Sequence, residues 1–221
     1  LGGSVYAHGG AGSNMHMAAN SVYEGTAPNY YDKYLTSSTA SKYVQDSGSH
    51  SWSTAASGTA GNAITWSERM KIDSTGAVTM PAQPAFQVRR SGNYDNLPAN
   101  DSAITIEWDT EVFDSNSDFA SNSFTAPVSG KYMLCINTYL GAVDTAASYI
   151  MIGIKTSNRD YYRIIAPKFN ADLTYYGINF SVVADMDASD TAYVFYQQSG
   201  GAAQIDLIAS NGTQFSGYLL G

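Results

Sequence analysis

The run Phe124-Thr125-Ala126-Pro127-Val128-Ser129-Gly130-Lys131-Tyr132 leaves this chain few ways to fold. Pro127 fixes its own φ and donates no ladder hydrogen bond, so it belongs at an edge or corner. Gly130 is read as a residue whose backbone conformation a β-carbon would forbid. A strand must end, turn and restart here. After the turn, Tyr132, Leu134 and Ile136 share one face, and Lys131, Met133, Cys135 and Asn137 share the other, which is the period of a strand with one buried side.

Composition fits that reading. The chain has 221 residues, 44% of them hydrophobic, with 17 Tyr, 20 Gly and 14% charged residues. Tyr favours pleated surfaces and Gly supplies turns, so short strands joined by tight connections are expected throughout. The net charge of −8 repels phosphate backbones, and no basic cluster longer than Arg89-Arg90 offsets it, which argues against nucleic acid. No apolar run reaches the roughly 20 residues that span a bilayer, so no membrane insertion is expected. A single cysteine, Cys135, excludes an intrachain disulfide and is expected to be a small buried thiol.

Together with Phe113 upstream and the closing Phe215-Ser216-Gly217-Tyr218-Leu219-Leu220, the run around Gly130 resembles the complement C1q-like head domain, a relative of the tumour necrosis factor jelly rolls. The shared pattern is a Phe, five residues and Gly-x-Tyr followed by alternating large apolar residues. Leu134 and Ile136 stand where that family often has aromatics. The resemblance covers residues 84–221 and implies a ten-stranded jelly-roll sandwich that trimerises. Strands are read at 85–88, 104–108, 130–140, 148–155, 161–166, 177–183, 192–198, 204–209 and 213–220, with turn residues between them.

The first part of the chain differs in character. From residue 21 to 81 the large apolar residues are sparse and mostly aromatic, including Tyr23, Tyr34, Tyr43, Trp52 and Trp66 among Ser, Thr, Ala and Gly. Such a segment buries little surface by itself and should need identical neighbours. The succession Lys33-Tyr34-Leu35, Ala40-Ser41-Lys42-Tyr43, Gly48-Ser49-His50-Ser51-Trp52, Ser57-Gly58-Thr59-Ala60-Gly61-Asn62-Ala63-Ile64-Thr65-Trp66 and Met70-Lys71-Ile72 resembles a segment of bacteriophage tail fibres that precedes a terminal domain. Residues 1–82 are therefore expected to form a β-rich, intertwined trimeric neck, and 83–221 the head. Asp73-Ser74-Thr75-Gly76 predicts a hairpin loop closed by a left-handed glycine. Pro81-Ala82-Gln83-Pro84 reads as a stiff joint.

Candidate chemistry is thin. Gly9-Gly10-Ala11-Gly12-Ser13 lacks the Gly-Lys-Ser/Thr ending of a phosphate loop. His8, His16 and His50 show no ligand spacing, although a trimer axis brings copies of one His together. Glu107, Asp109 and Glu111 alternate and would line one face of an unbroken strand, where paired acids cleave glycosidic bonds; a solvated strand face is the simpler expectation. Asp185, Asp187 and Asp190 lack the glycine and terminal Glu of a calcium loop and are expected to cap a turn. The C1q resemblance implies calcium near the trimer apex in some members, bound by acids in the loop before 177–183. Asp172 is the single acid there, so no cofactor is expected, calcium being the one left open.

The Asn-x-Ser/Thr triplets at Asn100, Asn179 and Asn211 are read as coincidental. Tyr161-Tyr162 and Tyr175-Tyr176 flank the Asp172 loop, and Tyr30-Tyr31 forms a third pair. One ring of each pair can pack while its neighbour is displayed, and these four head tyrosines with Asp172 are the candidate ligand-binding residues. The expected protein is a non-enzymatic, extracellular tail-fibre tip of a virion. It is expected to be a homotrimer that joins other fibre proteins and adheres to a host surface glycan or protein. Alternatives are a secreted C1q-like binding protein, a glycan depolymerase and a purely structural trimerisation module.

Overall fold

The computed structural model describes residues 2–8, 14–26, 29–98, 101–202, 204–209 and 212–221, with the backbone alone of His8, Thr26, Asn29 and Tyr30. The 9–13 run, the His8 and Tyr30 side chains, Asn100 and Asn211 lie outside the described residues. The chain is all-β, with no helix among the described residues, and divides into two compact units, Leu1–Ala82 and Gln83–Gly221.

The first unit comprises β1 (Gly3–His8), β2 (Asn14–Ala19), β3 (Ser21–Thr26), β4 (Asn29–Tyr34), β5 (Ala40–Asp46), β6 (Ser49–Ala55), β7 (Ser67–Ile72) and β8 (Val78–Thr79). An antiparallel sheet runs in the order β1-β2-β5-β6-β7-β8, and β3 with β4 makes a separate hairpin. The sheet is open, with β1 and β8 at its edges. Its core is small, with Tyr34, Ala40 and Ala55 buried and Ile64 and Trp66 packed against them. Asp32 ties the pieces together: its carboxylate accepts from Tyr6 Oη at 2.9 Å, Ser21 Oγ at 3.2 Å, Trp66 Nε1 at 2.7 Å and Lys42 Nζ at 3.3 Å. The predicted loop before β8 is present, with Gly76 at φ 91° and Asp73 N donating to Ala77 O at 2.9 Å.

The second unit comprises β9 (Ala85–Arg89), β10 (Tyr94–Pro98), β11 (Ile104–Thr105), β12 (Thr110–Asp114), β13 (Phe119–Ala120), β14 (Ser123–Thr125), β15 (Gly130–Val143), β16 (Ala147–Thr156), β17 (Asp160–Ile165), β18 (Leu173–Met186), β19 (Thr191–Gly200), β20 (Gln204–Leu207) and β21 (Gln214–Leu219). One sheet runs β10-β20-β15-β21-β9-β12, with β18 also on β15; the other runs β13-β14-β19-β16-β17, with β11 also on β19. The chain repeatedly crosses between the sheets, from β14 to β15 to β16 and from β17 to β18 to β19 to β21. That is the jelly-roll plan. It has more strands than the expected ten because short pieces such as β11 and β13 pair separately.

Between the sheets lies one continuous core. Phe86 sits at its centre, its ring centroid 4.7 Å from that of Phe124, 5.0 Å from Phe215 and 5.2 Å from Phe119. Tyr132, Leu134 and Ile136 point into it as their alternation requires. The corner is stitched by Tyr132 Oη, which donates to Val128 O at 2.8 Å. Gly130 departs from expectation: its φ is not positive, and a β-carbon there would meet the movable Leu219 Cδ1 at 2.7 Å and Gly221 O at 3.3 Å. Cys135 also departs from expectation. It is half-buried on the outward side of β15 rather than in the core.

Candidate functional site

A jelly-roll head has two outward sheet faces, and here they differ. On the sheet containing β15, cross-strand registers align Val183 with Met133, Tyr218 and Ala85, and beside them Ser181 with Cys135, Ser216, Gln87 and Phe113. Neither row carries a charge; Lys131 and Asp185 pair at one border and Arg89 stands at the other. Tyr218 and Val183 are about half exposed. A flat, uncharged, partly apolar face of this kind suits burial against another protein surface better than prolonged contact with water.

The opposite outward face is built around a glycine. Gly153 of β16 lies beside Phe195 of β19 and Tyr162 of β17. A β-carbon at Gly153 would approach Phe195 Cε1 to 2.5 Å and Tyr161 O to 2.6 Å, so only glycine lets the Phe195 ring lie across the strand. The adjacent row places Met151 between Gln197 and Ile164. Tyr162 is 49% and Ile164 55% exposed, whereas Phe195 is buried. Around this apolar centre stand polar groups: Gln197 Nε2 donates to Tyr149 Oη at 2.9 Å, and Lys155 pairs with Asp160 at 3.4 Å. An apolar centre with a hydrogen-bonding rim is the anatomy of a recognition surface.

The tyrosine pairs behave as strand alternation dictates. Tyr161 and Tyr176 pack against the core, while Tyr162 and Tyr175 are displayed. The displayed rings are not brought together, because β17 and β18 belong to different sheets and each ring points outward from its own. Tyr175 instead stacks on Tyr139 of β15, with centroids 5.0 Å apart. Asp172 is tied down as well: its Oδ1 accepts from Thr145 N and Thr145 Oγ1, both at 2.8 Å, and these bonds hold its carboxyl below the usual range. Sequence reasoning missed Phe195, Met151 and Ile164. The one available signal was Gly153, a glycine on the outward side of a strand whose inward side is Ile150, Ile152 and Ile154.

No protein-family model matches the chain, and no curated protein matches it. Among solved structures, the globular domain of zebrafish complement 1qA is similar over 63% of this chain and 98% of its own, at 17% identity and a TM-score of 0.49. A crystal structure of murine APRIL is similar over 62% and 99%, at 13% identity and a TM-score of 0.45.

The acidic triplet does not line one strand face. Pairing stops at Thr105 and resumes at Thr110, so Glu107 and Asp109 lie in the connection between β11 and β12. Asp109 is occupied structurally, accepting from Ser91 N at 2.6 Å and pairing with Arg90 at 3.5 Å. Its carboxyl is held low: burial opposes the shift, and the Ser91 and Thr110 hydrogen bonds and Arg90 outweigh it. At the β18–β19 turn, Asp190 Oδ2 accepts from Asp187 N and Asn158 Nδ2, both at 2.8 Å, the capping role expected of the cluster, whereas Asp185 lies within β18 in register with Lys131. His16 stacks on Tyr6 with centroids 4.6 Å apart, and His50 Nδ1 bonds Tyr43 Oη. No group of three or more His, Cys, Asp or Glu residues is placed to hold a metal among the described residues.

Proposed function

We propose that the protein is a non-enzymatic, homotrimeric attachment protein of the bacteriophage tail-fibre kind, acting at a fibre tip outside the cell. The observation that carries this reading is the division of labour between the two outward faces of the head. The uncharged face around Met133 and Cys135 packs on other copies. The face centred on Gly153, with Tyr162 and Ile164 displayed, meets a host surface glycan or protein. The tail-fibre assignment itself rests on the aromatic, Ser/Thr/Gly-rich succession in the first unit. Three equal heads make a weak contact durable, because the second and third contacts form at high effective concentration.

The test combines light scattering with binding to candidate bacterial hosts. A trimeric mass is expected. Tyr162→Ala should lower cell binding at least tenfold with the mass unchanged, whereas Met133→Lys should break the assembly. A monomeric wild-type protein refutes the reading. A trimer that binds no bacterial cell or surface polysaccharide refutes the attachment reading and leaves the structural-module and C1q-like alternatives, and release of new reducing ends from host polysaccharide would identify an enzyme. The same head geometry also serves a secreted C1q-like binding protein, which would bind a soluble or animal-cell target instead.

A further inference from the structure

The first unit has its own unpartnered face. Registers place Val5 opposite Met17, Met17 opposite Tyr43, Tyr43 opposite Trp52 and Trp52 opposite Met70, so one ridge of large apolar side chains crosses five strands. Val5 is 72%, Met17 48% and Trp52 38% exposed. The neighbouring row is small, with Gly3, Ala19, Ser41 and Thr54 in register. Ridge and trough together form an open groove of about 510 Å³. The hairpin of β3 and β4 occupies the other side of the sheet, where Tyr23 stacks on Tyr6, and no described strand of the first unit covers the ridge.

We infer that this ridge packs against the same face of other copies of the chain, as a second self-association surface separate from the head. This rests on the homotrimer reading given above. Charge identifies the occupant. Residues 1–82 are nearly neutral, with Glu24, Asp32, Asp46, Glu68 and Asp73 against Lys33, Lys42, Arg69 and Lys71, and neither row includes a charged residue. Of the bases at the groove, Lys42 turns its Nζ to Asp32 at 3.3 Å and Arg69 is held at one corner by its Nε bond to Thr54 Oγ1 at 2.7 Å. Copies therefore meet across this face with no like charge opposed, whereas a charged partner would find nothing on either row to engage. In a three-fold ring the ridge of one copy meets the trough of the next, a heterologous contact that closes on itself.

Size explains why the ridge acts within an assembly rather than alone. Five strands at about 4.8 Å spacing and six residues at about 3.3 Å rise give a footprint on the order of 500 Å². A stable two-body interface covers about 800 Å² per partner. Heads that have already assembled raise the local concentration of first units, and a surface too small for free association then closes.

The test introduces one thiol at a time into full-length Cys135→Ser protein: Met17→Cys on the ridge, and Ala60→Cys in an exposed loop as reference. Maleimide labelling is timed on each, and native mass is measured on the same samples. In a trimer, the position-17 thiol should react at least tenfold more slowly than the position-60 thiol and recover when the assembly is diluted apart. Equal rates in a trimer overturn this inference and leave the head reading standing. A monomer overturns both. Val5→Cys repeats the measurement one strand away should the Met17 variant misfold.

Discussion

Asp32 offers the sharpest test of how the first unit is held together. Its side chain is 8% exposed and meets four donors, Tyr6 and Ser21 on Oδ1, Trp66 and Lys42 on Oδ2. Asp32→Ala strands a nearly buried Lys42 ammonium and leaves the Trp66 N–H unsatisfied. Removing one partner of such a pair costs about 3–5 kcal/mol. Asp32→Asn is milder for a geometric reason. Its amide can turn its oxygen to Trp66 and Lys42, which only donate, and its NH₂ to the Tyr6 and Ser21 hydroxyls, which can accept. The residual loss is that of charge-assisted bonds becoming neutral ones, about 1–3 kcal/mol. The assay is denaturant unfolding followed by tryptophan fluorescence, since Trp52 and Trp66 lie in this unit and Trp108 in the head. The Ala variant should shift the first-unit transition well beyond the Asn variant, with the head transition unmoved. Equal shifts, or an Ala cost below about 1 kcal/mol, would refute the argument that donor chemistry sets the order. The sign with pH follows from the carboxyl being held below its usual range. Burial opposes that shift, but the bonds from Tyr6 and Trp66 and the charge of Lys42 outweigh it. Asp32 therefore contributes stability above the unfolded value near 3.8 and loses it as pH falls through the lower folded value.

Gly217→Ala places a methyl 2.7 Å from Leu134 Cδ2 and 2.8 Å from Phe86 Cε1; overpacking of this kind costs about 1–3 kcal/mol, read as a lower head melting temperature. Phe86→Ala removes the ring at the centre of the aromatic cluster and should cost about 3–5 kcal/mol in the same scan, with the first-unit transition unchanged. Native mass should be the same with and without a chelator, because the Asp172 Oδ1 is already satisfied by Thr145; dissociation on chelation would make metal structural. The isolated 83–221 segment should melt as the head does in the full chain, since its core is continuous within that unit, whereas isolated 1–82, with three buried hydrophobic residues, should not fold stably.

Much of the head was legible because its strands are long and one-sided. Tyr132, Leu134 and Ile136 alternate against a polar face, and a period of two survives whatever lies across the sheet. The Gly76 loop was legible because left-handed backbone at a hairpin is a local demand. What could not be read was long-range. β10 and β12 exist because distant strands offer them edges: Leu97 pairs with Ile205, and Phe113 with Gln87. Nothing within a five-residue window announces such a partner. Glu107, Asp109 and Glu111 looked like one face because nothing local says that pairing lapses between Thr105 and Thr110. The two tyrosine pairs of the head split into packed and displayed rings as alternation requires, but which sheet each strand joins decides where a displayed ring points. That is a property of topology, so Tyr162 and Tyr175 parted company in the fold.

The same reasoning ties the two units to one requirement. A chain with net −8 cannot bring copies of itself together through random surface without repulsion. In the head, charge is moved to the borders of the Met133 and Cys135 rows, with Lys131 facing Asp185. In the first unit the buried acid of the hairpin, Asp32, is turned to Lys42 and Trp66 on the side away from the Trp52 ridge, and its other acid, Glu24, pairs with Lys33. Both arrangements cost the chain something. The head exposes Val183 and Tyr218, and the first unit exposes Val5, Met17 and Trp52, apolar surface that water does not favour. A monomer would gain nothing from either exposure, and a binding site for a single small ligand would not need a ridge five strands wide. In the proposed assembly self-association would remove both costs at once, and the Gly153 face of each head, the side with a polar rim, would stay free for a different partner.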